Sequence, residues 1–261
     1  MRIRSRGGRN IFRGKAVNCI LLHNIGRKTY DALVADLADS AGIRLAYDRG
    51  TVEIRDSAML WSEPILLHNI RYDTYEQLMQ DTLDRAVPRM AYHKGTLELM
   101  SPSSSHEDIK QLFVDIADAW AEARDVDIFL AGSTTFRKRG LPEGFEADAS
   151  FYIANADAIS RQRAIDLDMD PPPDLIVEVD LSSSSMSKFP TYAALGVPEV
   201  WRYVDGQVHI HLLADAAYSE SHRSTAFAGL TVNDLTQLIA AGLDMRRRQW
   251  LRWLRGFAAS R

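Results

Sequence analysis

The sequence contains a single cysteine, Cys19, among its 261 residues. One cysteine cannot form an intramolecular disulfide, so a disulfide-stapled secreted scaffold is excluded and a reducing, cytoplasmic compartment is expected. No apolar run approaches the roughly 20 residues that a membrane-spanning helix needs, which predicts a protein that does not cross a membrane. With 46% hydrophobic and 25% charged residues, the composition is that of a globular protein that is large enough to bury a core without metal or disulfide staples.

The sequence also lacks an excess of positive charge, since 31 lysines and arginines stand against 35 aspartates and glutamates. The net charge is −4, which argues against a dedicated nucleic-acid binder with a large basic face but not against a nuclease, because a metal site concentrates carboxylates. There is no glycine-rich phosphate-binding loop. The first 15 residues reverse this balance, with five arginines and no acidic residue. This basic arm is interpreted either as a solvated tail or as a contact to a phosphate backbone.

The front of the chain is an internal duplication. Residues 20–56, beginning ILLHNIGRKTYDALV, align without gaps to residues 65–101, beginning ILLHNIRYDTYEQLM, with 18 identities over 37 positions. Each copy predicts a strand, an amphipathic helix capped by Thr29 or Thr74, and two further strands around a glycine turn. The first copy is either an accessory unit that packs beside the core or a substrate-binding extension. We therefore divide the chain into residues 1–60, the arm and a degenerate copy, and residues 61–261, the main domain.

The rest of the sequence alternates helix and strand patterns, which predicts an α/β fold with a mixed central sheet flanked by helices. A helix is expected over about 106–124, capped by Ser105 or a neighbouring serine. The segments DIFLAGSTTFRKR and FEADASFYI predict paired strands, and DLIVEVDL, apolar on both faces, predicts a central strand. A short helix ending at Gly196 and a hairpin turning at Asp205 follow. The basic, tryptophan-rich C-terminal helix either docks on the core or contacts an anionic surface.

Carboxylates lie in two of these strands. Alternation puts Glu146 and Asp148 on one face of FEADASFYI, opposite its apolar residues, and puts Glu178 and Asp180 on one face of DLIVEVDL. A carboxylate within a buried apolar strand is costly unless it is paired or binds a metal. Two neighbouring strands that present carboxylates favour Mg²⁺ or Mn²⁺ with oxygen ligands. The alternative for Glu178 is a buried ion pair with a lysine or arginine. Lys188, expected on the next helix, is either a site residue or an ordinary solvated lysine.

Four segments in this order resemble the Uma-two family of bacterial proteins: GTLELMSPSSSHE, GSTTFRKRGLPEGFEADASFYI, PPPDLIVEVDLSSSS and YAALGVPEVWRY. The resemblance covers roughly residues 65–255. It implies the PD-(D/E)xK restriction-endonuclease fold and a Mg²⁺-dependent endonuclease with DNA as its substrate. A homodimer would suit the cutting of both strands of a duplex.

The family pattern also implies roles for individual residues. By this pattern Asp148 is the first metal carboxylate and Glu178 the second, and Glu146, the neighbour of the metal aspartate, is a further candidate metal ligand. Glu98 corresponds to the acidic residue that precedes the core helix. His106 corresponds to the histidine at the start of that helix, where it either contacts phosphate or transfers a proton, or simply occupies the first turn.

Three positions depart from the pattern. Ala147 replaces the proline usual before the metal aspartate, and Asp180 stands where a lysine is expected two residues after the second carboxylate. In this family the lysine role is assigned to a basic residue on the following helix, which Lys188 matches, although the residue before it is Ser187 instead of an acidic or amide residue. The competing hypothesis is therefore a catalytically inactive nuclease-fold protein that binds nucleic acid or a protein partner.

Overall fold

The computed structural model describes residues 18–56, 64–82, 88–101, 103–132, 134–138, 141, 143–159, 165–181 and 188–261. The basic arm, residues 1–15, and the serine run 182–185, which ends the segment PPPDLIVEVDLSSSS, lie outside the described residues. The helices are α1 (Arg27–Asp36), α2 (Tyr72–Thr82), α3 (Ser104–Glu122), α4 (Phe189–Leu195), α5 (Val232–Asp244) and α6 (Arg247–Ala259). The strands are β1 (Asn18–Leu22), β2 (Ile43–Asp48), β3 (Thr51–Asp56), β4 (Ile65–Leu67), β5 (Arg89–His93), β6 (Thr96–Met100), β7 (Phe129–Leu130), β8 (Thr135–Arg137), β9 (Glu143–Glu146), β10 (Ala149–Tyr152), β11 (Leu175–Asp180), β12 (Glu199–Val204), β13 (Gln207–Ala214) and β14 (Ala217–Ser221).

These strands form three sheets with the orders β1-β3-β2, β4-β6-β5-β9-β8 and β14-β13-β12-β11-β10-β7. The pairing is antiparallel except between β11 and β12, which are parallel. Parallel and antiparallel pairs in one sheet, with helices packed against it, confirm the predicted mixed α/β fold. Strand β11 lies inside the six-stranded sheet between β10 and β12, as its two apolar faces predicted.

A broken hairpin connects the two larger sheets. Its outer parts, β7 and β10, belong to the six-stranded sheet, and its inner parts, β8 and β9, belong to the five-stranded sheet. The second arm breaks at Ala147 and Asp148, so the prediction of one continuous strand is wrong. The prediction that its apolar residues share a face is also wrong, because Phe145 and Ala147 pack in a different cluster from Ala149 and Phe151. Breaks of this kind re-aim side chains, and this one puts Asp148 at the junction of the sheets.

The predicted helix ends and turns after the duplication are close to those observed. Helix α3 begins two residues earlier than expected, with Ser103 as its N-cap; the Ser103 side chain accepts a hydrogen bond from the backbone N–H of His106 at 3.2 Å. Gly196 ends α4 in the left-handed conformation, with a φ of 78°. Asp205 and Gly206 form the turn between β12 and β13 with φ values of 51° and 80°, as a tight hairpin turn requires.

The two aligned segments fold with the same order of elements. Each forms a strand, a helix and two strands, and their sheets have the corresponding orders β1-β3-β2 and β4-β6-β5. Asn24 and Asn69, which follow the first strand of each copy, share a φ of 62°. Thr29 and Thr74 do not cap the helices, contrary to the prediction. Each helix begins two residues before its threonine, at Arg27 or Tyr72, so the threonine lies inside the first turn. Both threonines are buried there.

The two copies instead cap each other's helices. The backbone N–H of Gly26, at the start of α1, donates to Asp81 of the second copy at 2.7 Å. The backbone N–H of Arg71, before α2, donates to Asp36 of the first copy at 2.9 Å. Gly26 and Arg71 are equivalent positions of the alignment, and so are Asp36 and Asp81. The contact is therefore reciprocal, like the interface of a two-fold dimer.

One apolar cluster fills the space between the copies. It contains Leu22 and Leu33 from the first copy and Leu67 and Leu78 from the second, all fully buried. The first copy thus packs against the second, as the accessory-unit interpretation expects. The predicted division at residue 60 therefore runs through a single hydrophobic cluster, which contains residues from both sides of it.

Helix α6 docks on the body of the protein by one face. Trp250 is fully buried, and Arg247 pairs with Asp115 of α3 at 2.8 Å, whereas Trp253 is 40% exposed. The docking interpretation therefore holds for the first of these tryptophans. Among the described helices, none combines the length and the apolar character needed to cross a membrane.

The reciprocal caps predict a measurable contribution to stability. Replacing Asp81 by alanine removes the acceptor for the Gly26 N–H and should lower the free energy of unfolding by about 1 kcal/mol. Asp39→Ala, at an exposed aspartate near the end of α1, is the control and should change it by less than about 0.5 kcal/mol. Urea unfolding measures both, and equal effects of the two substitutions would argue against the capping role.

Candidate active site

Asp148 and Glu178 lie at facing positions of neighbouring strands. The antiparallel register of β10 and β11 pairs Ala149 with Val177, so one further step along both chains brings Asp148 beside Glu178. Both side chains are buried. Oδ2 of Asp148 also accepts a hydrogen bond from the backbone N–H of Val179 at 2.6 Å, which ties the broken strand to β11.

Two basic side chains surround Asp148. The guanidinium of Arg89, on β5, forms an ion pair with Oδ1 of Asp148 and donates to Glu107 at 2.7 Å. Nε2 of His106, in the first turn of α3, lies 3.0 Å from Oδ2 of Asp148. Both side chains are buried, so the negative charge of Asp148 is compensated inside the protein.

The His106 imidazole is neutral at pH 7. Burial, together with the nearby Arg89 charge, lowers its pKa to about 4, while Glu107 acts in the opposite direction. Neither ring nitrogen has an aligned hydrogen-bond partner among the described residues. The ring is therefore close to Asp148 without being locked to it.

Lys188 bridges two of the acidic residues. It is the N-cap residue of α4 and not a residue within that helix, which corrects the prediction. Its ammonium nevertheless reaches back over the sheet, with Nζ 2.9 Å from Oε2 of Glu178 and 3.6 Å from Oε1 of Glu98. Although burial opposes it, the two carboxylates raise the pKa of Lys188. The interpretation as an ordinary solvated lysine is wrong, and the residue is a largely buried, ion-paired ammonium.

The second oxygen of Glu178 has a different partner. The hydroxyl of Tyr192, one helical turn after Lys188, donates to Oε1 of Glu178 at 2.5 Å. Burial, reinforced by the Glu178 charge, raises the pKa of Tyr192 well above its usual value, so the phenol remains a donor. Glu178 is thus held at both oxygens, which fixes its orientation.

Glu98 is buried in β6 with one oxygen unsatisfied. Its Oε2 has no hydrogen-bond partner within the part of the chain that the structure describes. Burial raises the pKa of Glu98, and the Lys188 charge opposes that rise. A buried carboxylate oxygen without a donor is costly, and it is the sort of atom that a bound cation or water satisfies.

Glu146 lies on β9, beside this cluster. Its Oε1 accepts a hydrogen bond from the hydroxyl of Thr135 on β8 at 2.8 Å, and the Met90 backbone also bonds to the carboxyl group. Burial raises its pKa, against the effect of these bonds and of Arg89. In this state Glu146 is engaged with its neighbouring strands.

Asp180, at the position of the expected lysine, pairs elsewhere. Its Oδ2 lies 2.5 Å from Nε of Arg202 on the adjacent parallel strand β12. The position two residues after Glu178 therefore does not contribute the expected lysine. The lysine that contacts Glu178 is Lys188.

Sequence reasoning did not identify Arg89 and Tyr192 as site residues. A signal for Arg89 existed, because a basic residue stands in the otherwise apolar buried segment RMAYH and is repeated as Arg44 in the first copy. A weaker signal for Tyr192 is its spacing of four from Lys188, which puts two side chains on one face of a helical segment.

The donor atoms suit a hard divalent cation. Apart from the His106 imidazole beside Asp148, the site offers carboxylate oxygens, from two facing strands and from the unsatisfied Oε2 of Glu98, and Mg²⁺ is typically bound by one or two carboxylates plus water and phosphate. In the described ranges, no three histidine, cysteine, aspartate or glutamate side chains already converge as a metal site. The guanidinium of Arg89 and the ammonium of Lys188 pair with the carboxylates instead.

Comparison with known proteins agrees with the resemblance to the Uma-two family. A family model described as "Uma2: Putative restriction endonuclease" matches residues 72–246, a range that contains every site residue described above. A solved structure described as a putative nuclease belonging to DUF820 from Anabaena variabilis is 14% identical, with a TM-score of 0.47 over 65% of this chain and 99% of that chain. A search of curated proteins found no match.

The lowered pKa of His106 predicts an acid-sensitive contribution to stability. The folded protein takes up the imidazole proton only near pH 4, whereas the unfolded chain does so near pH 6.5, so stability is lost as the pH falls between these values. From pH 7 to pH 5 the wild type should lose about 2 kcal/mol more than His106→Gln.

Urea unfolding at the two pH values measures this difference. His222→Gln, at an exposed histidine, is the matched control and should follow the wild type. A pH dependence shared by His106→Gln and the wild type would show that the buried imidazole is not the group responsible.

Proposed function

We propose that this chain, which belongs to the Uma2 family, is a metal-dependent nuclease that hydrolyses phosphodiester bonds in DNA. The observation that carries the proposal is the facing, buried pair Asp148 and Glu178 with the Lys188 ammonium against it. The description of the family as a restriction endonuclease supports a nuclease-like function in general. The choice of Mg²⁺ rests on the predominance of carboxylate oxygens among the donor atoms, and the choice of DNA rests on the family resemblance.

Asp148 and Glu178 would hold the Mg²⁺, with Glu146 and Glu98 as further carboxylates at its margin. A divalent cation in such a site lowers the pKa of a bound water and neutralises charge that develops on a phosphate. Tyr192 keeps Glu178 oriented through the hydrogen bond to Oε1. The N–H of Val179 does the same for Asp148.

Lys188 acts as a positive charge and not as a base. Its pKa is raised by the adjacent carboxylates, so it carries its proton at neutral pH and cannot accept another. An ammonium held in a buried position stabilises negative charge on the phosphate oxygens as the transition state forms. Its contact with Glu178 keeps it within reach of a phosphate bound at that carboxylate.

Arg89 compensates Asp148 while no cation is bound. Its ion pair engages Oδ1 of Asp148, so the guanidinium has to release that oxygen before it can ligate a metal. A released guanidinium can bind a phosphate through two parallel hydrogen bonds. Arg89 is therefore assigned a double role, as a counter-ion in the resting protein and as a phosphate contact with substrate.

The same ion pairs favour a second candidate function. A protein whose carboxylates are neutralised by its own Arg89 and Lys188 needs no metal for its fold, as expected of an inactive nuclease-fold protein that binds nucleic acid or a protein partner. The buried ion pair that sequence reasoning gave as the alternative for Glu178 is in fact present. Activity with and without metal distinguishes the two candidates.

The nuclease proposal predicts metal-dependent cutting that needs both carboxylates. Purified protein should cleave supercoiled and linear DNA with Mg²⁺ or Mn²⁺ but not with EDTA. Asp148→Asn and Glu178→Gln should each lower the rate on the order of 10²-fold or more, because each removes a charge that supports the transition state.

Asp205→Asn is the matched control for this experiment. It removes one carboxylate from an exposed turn in which asparagine adopts the same positive φ, and it should leave the cleavage rate unchanged. Absence of cutting with either metal, or cutting that survives both site substitutions, would favour the non-catalytic alternative.

A second prediction concerns Lys188 and does not depend on activity. Lys188→Met leaves Glu98 and Glu178 buried without their shared counter-ion, which should cost about 3–5 kcal/mol of stability in EDTA. Bound Mg²⁺ replaces the missing charge, so the rise in Tm on adding Mg²⁺ should be larger for Lys188→Met than for the wild type. Thermal unfolding in EDTA and in excess Mg²⁺ measures this, with the exposed Lys28→Met as the control. Equal Mg²⁺ responses of the three proteins would contradict metal binding at this cluster.

A further inference from the structure

The two copies of the duplication differ at the outer edge of one strand. In the second copy, β5 pairs at that edge with β9, with Ala91 opposite Phe145 and Tyr92 opposite Gly144. The equivalent strand of the first copy, β2, ends its three-stranded sheet, and no strand of the described ranges pairs with its outer edge. Ala46, the counterpart of the buried Ala91, is accordingly exposed.

Strand β2 has only part of the protection that is usual at an open edge. Natural edge strands are blunted by charged side chains (above all lysine), by proline, by a bulge or by a very short length, because exposed N–H and C=O groups pair with other chains. The exposed charges of β2 are one of each sign, Arg44 and Asp48. The β2 sequence, IRLAYD, contains neither proline nor lysine. It pairs without interruption with β3, from Ile43 opposite Asp56 to Asp48 opposite Thr51. Its outer edge therefore has the regular geometry that can accept another strand.

The side chains of β2 are complementary to those of a second β2 in the opposite direction. If two copies pair antiparallel about Ala46, Arg44 lies opposite Asp48 of the partner copy, and Leu45 lies opposite Tyr47 of the partner copy. Opposite charges at directly facing positions stabilise a strand pair. Several antiparallel registers would put the exposed residues of both β2 strands, Arg44, Ala46 and Asp48, on the same side of the joint sheet. Of these registers, only the one centred on Ala46 puts Arg44 opposite Asp48.

The neighbouring strand adds to this complementarity. Within the chain, Arg44 of β2 lies opposite Arg55 of β3, and like charges at facing positions are unfavourable. Glu53 already forms an ion pair with Arg55, and a carboxylate arriving at the open edge, on the other side of Arg44, supplies the counter-charge for Arg44. The first copy has thus kept a charge arrangement that is satisfied by a second copy of the same strand.

We propose that β2 is a dimerisation edge, through which two copies of this chain form one continuous six-stranded sheet of order β1-β3-β2-β2-β3-β1. The first copy of the duplication is then an assembly module, with its helix α1 docked on its own chain and its strand β2 paired with the partner copy. The proposal does not depend on the nuclease function, and each can fail without the other.

Charge exchange in the full-length protein tests the proposal. Sedimentation equilibrium of the wild type should give a dimer, and Arg44→Asp and Asp48→Arg should each weaken dimerisation at least about tenfold, since each creates two like-charge pairs. The double variant Arg44→Asp/Asp48→Arg restores opposite charges in reversed order and should dimerise like the wild type. Far-UV circular dichroism controls for folding, and Arg44→Asp is expected to fold because the introduced carboxylate would face the guanidinium of Arg55.

A cross-link gives an independent measurement. In a Cys19→Ser background, Ala46→Cys puts one thiol of each chain beside the two-fold axis, so mild oxidation should yield a covalent dimer. Ala38→Cys, at an exposed position beyond the end of α1, is the control and should form no covalent dimer under the same oxidation. A monomeric wild type, a folded double variant that fails to dimerise, or equal cross-linking at both positions would overturn the proposal.

Discussion

The internal compensation of buried carboxylates by buried cations governs this structure. Asp148, Glu178 and Glu98 are withdrawn from water at a junction of two sheets, where an unpaired negative charge is strongly disfavoured. Arg89 compensates Asp148, and Lys188 compensates the two glutamates. These ion pairs compensate the buried negative charges within the protein itself and keep the three carboxylates in one region of it.

The two larger sheets meet where these charged groups come together. Arg89 and Glu98 come from the five-stranded sheet, and Glu178 comes from the six-stranded sheet. Asp148 lies between them because the hairpin that carries it leaves one sheet and enters the other at this residue. Helix α3 contributes His106 from its first turn, and the cap of α4 contributes Lys188. A strand that continued without a break would keep Glu146 and Asp148 on one face of one sheet.

Sequence patterns predicted the elements better than their junctions. The run of apolar residues on both faces predicted β11, and the turn residues predicted the hairpin at Asp205 and the end of α4 at Gly196. Each of these features depends on the local sequence. The break at Asp148 could not be predicted, since it follows from the packing of two sheets that are distant in sequence. The helix caps of the duplication were also missed, because Gly26 is capped by Asp81 of the other copy and not by a neighbouring threonine. For the candidate site, the family pattern predicts the acidic residues as site residues, and this stays a prediction; the pairing of Asp148 with Arg89 is a tertiary contact that no local pattern encodes.

If Asp148 and Glu178 bind a divalent cation, as proposed, that cation takes over the compensation that Arg89 provides to Asp148. A crystal structure with Mn²⁺, read from its anomalous scattering, tests this claim most directly. We expect a manganese peak bounded by the carboxylates of Asp148 and Glu178, with the guanidinium of Arg89 moved away from Asp148. A crystal that contains Mn²⁺ but shows no peak at these carboxylates, with the Arg89 and Lys188 ion pairs intact, would contradict the account and identify the cluster as a permanent internal salt-bridge network.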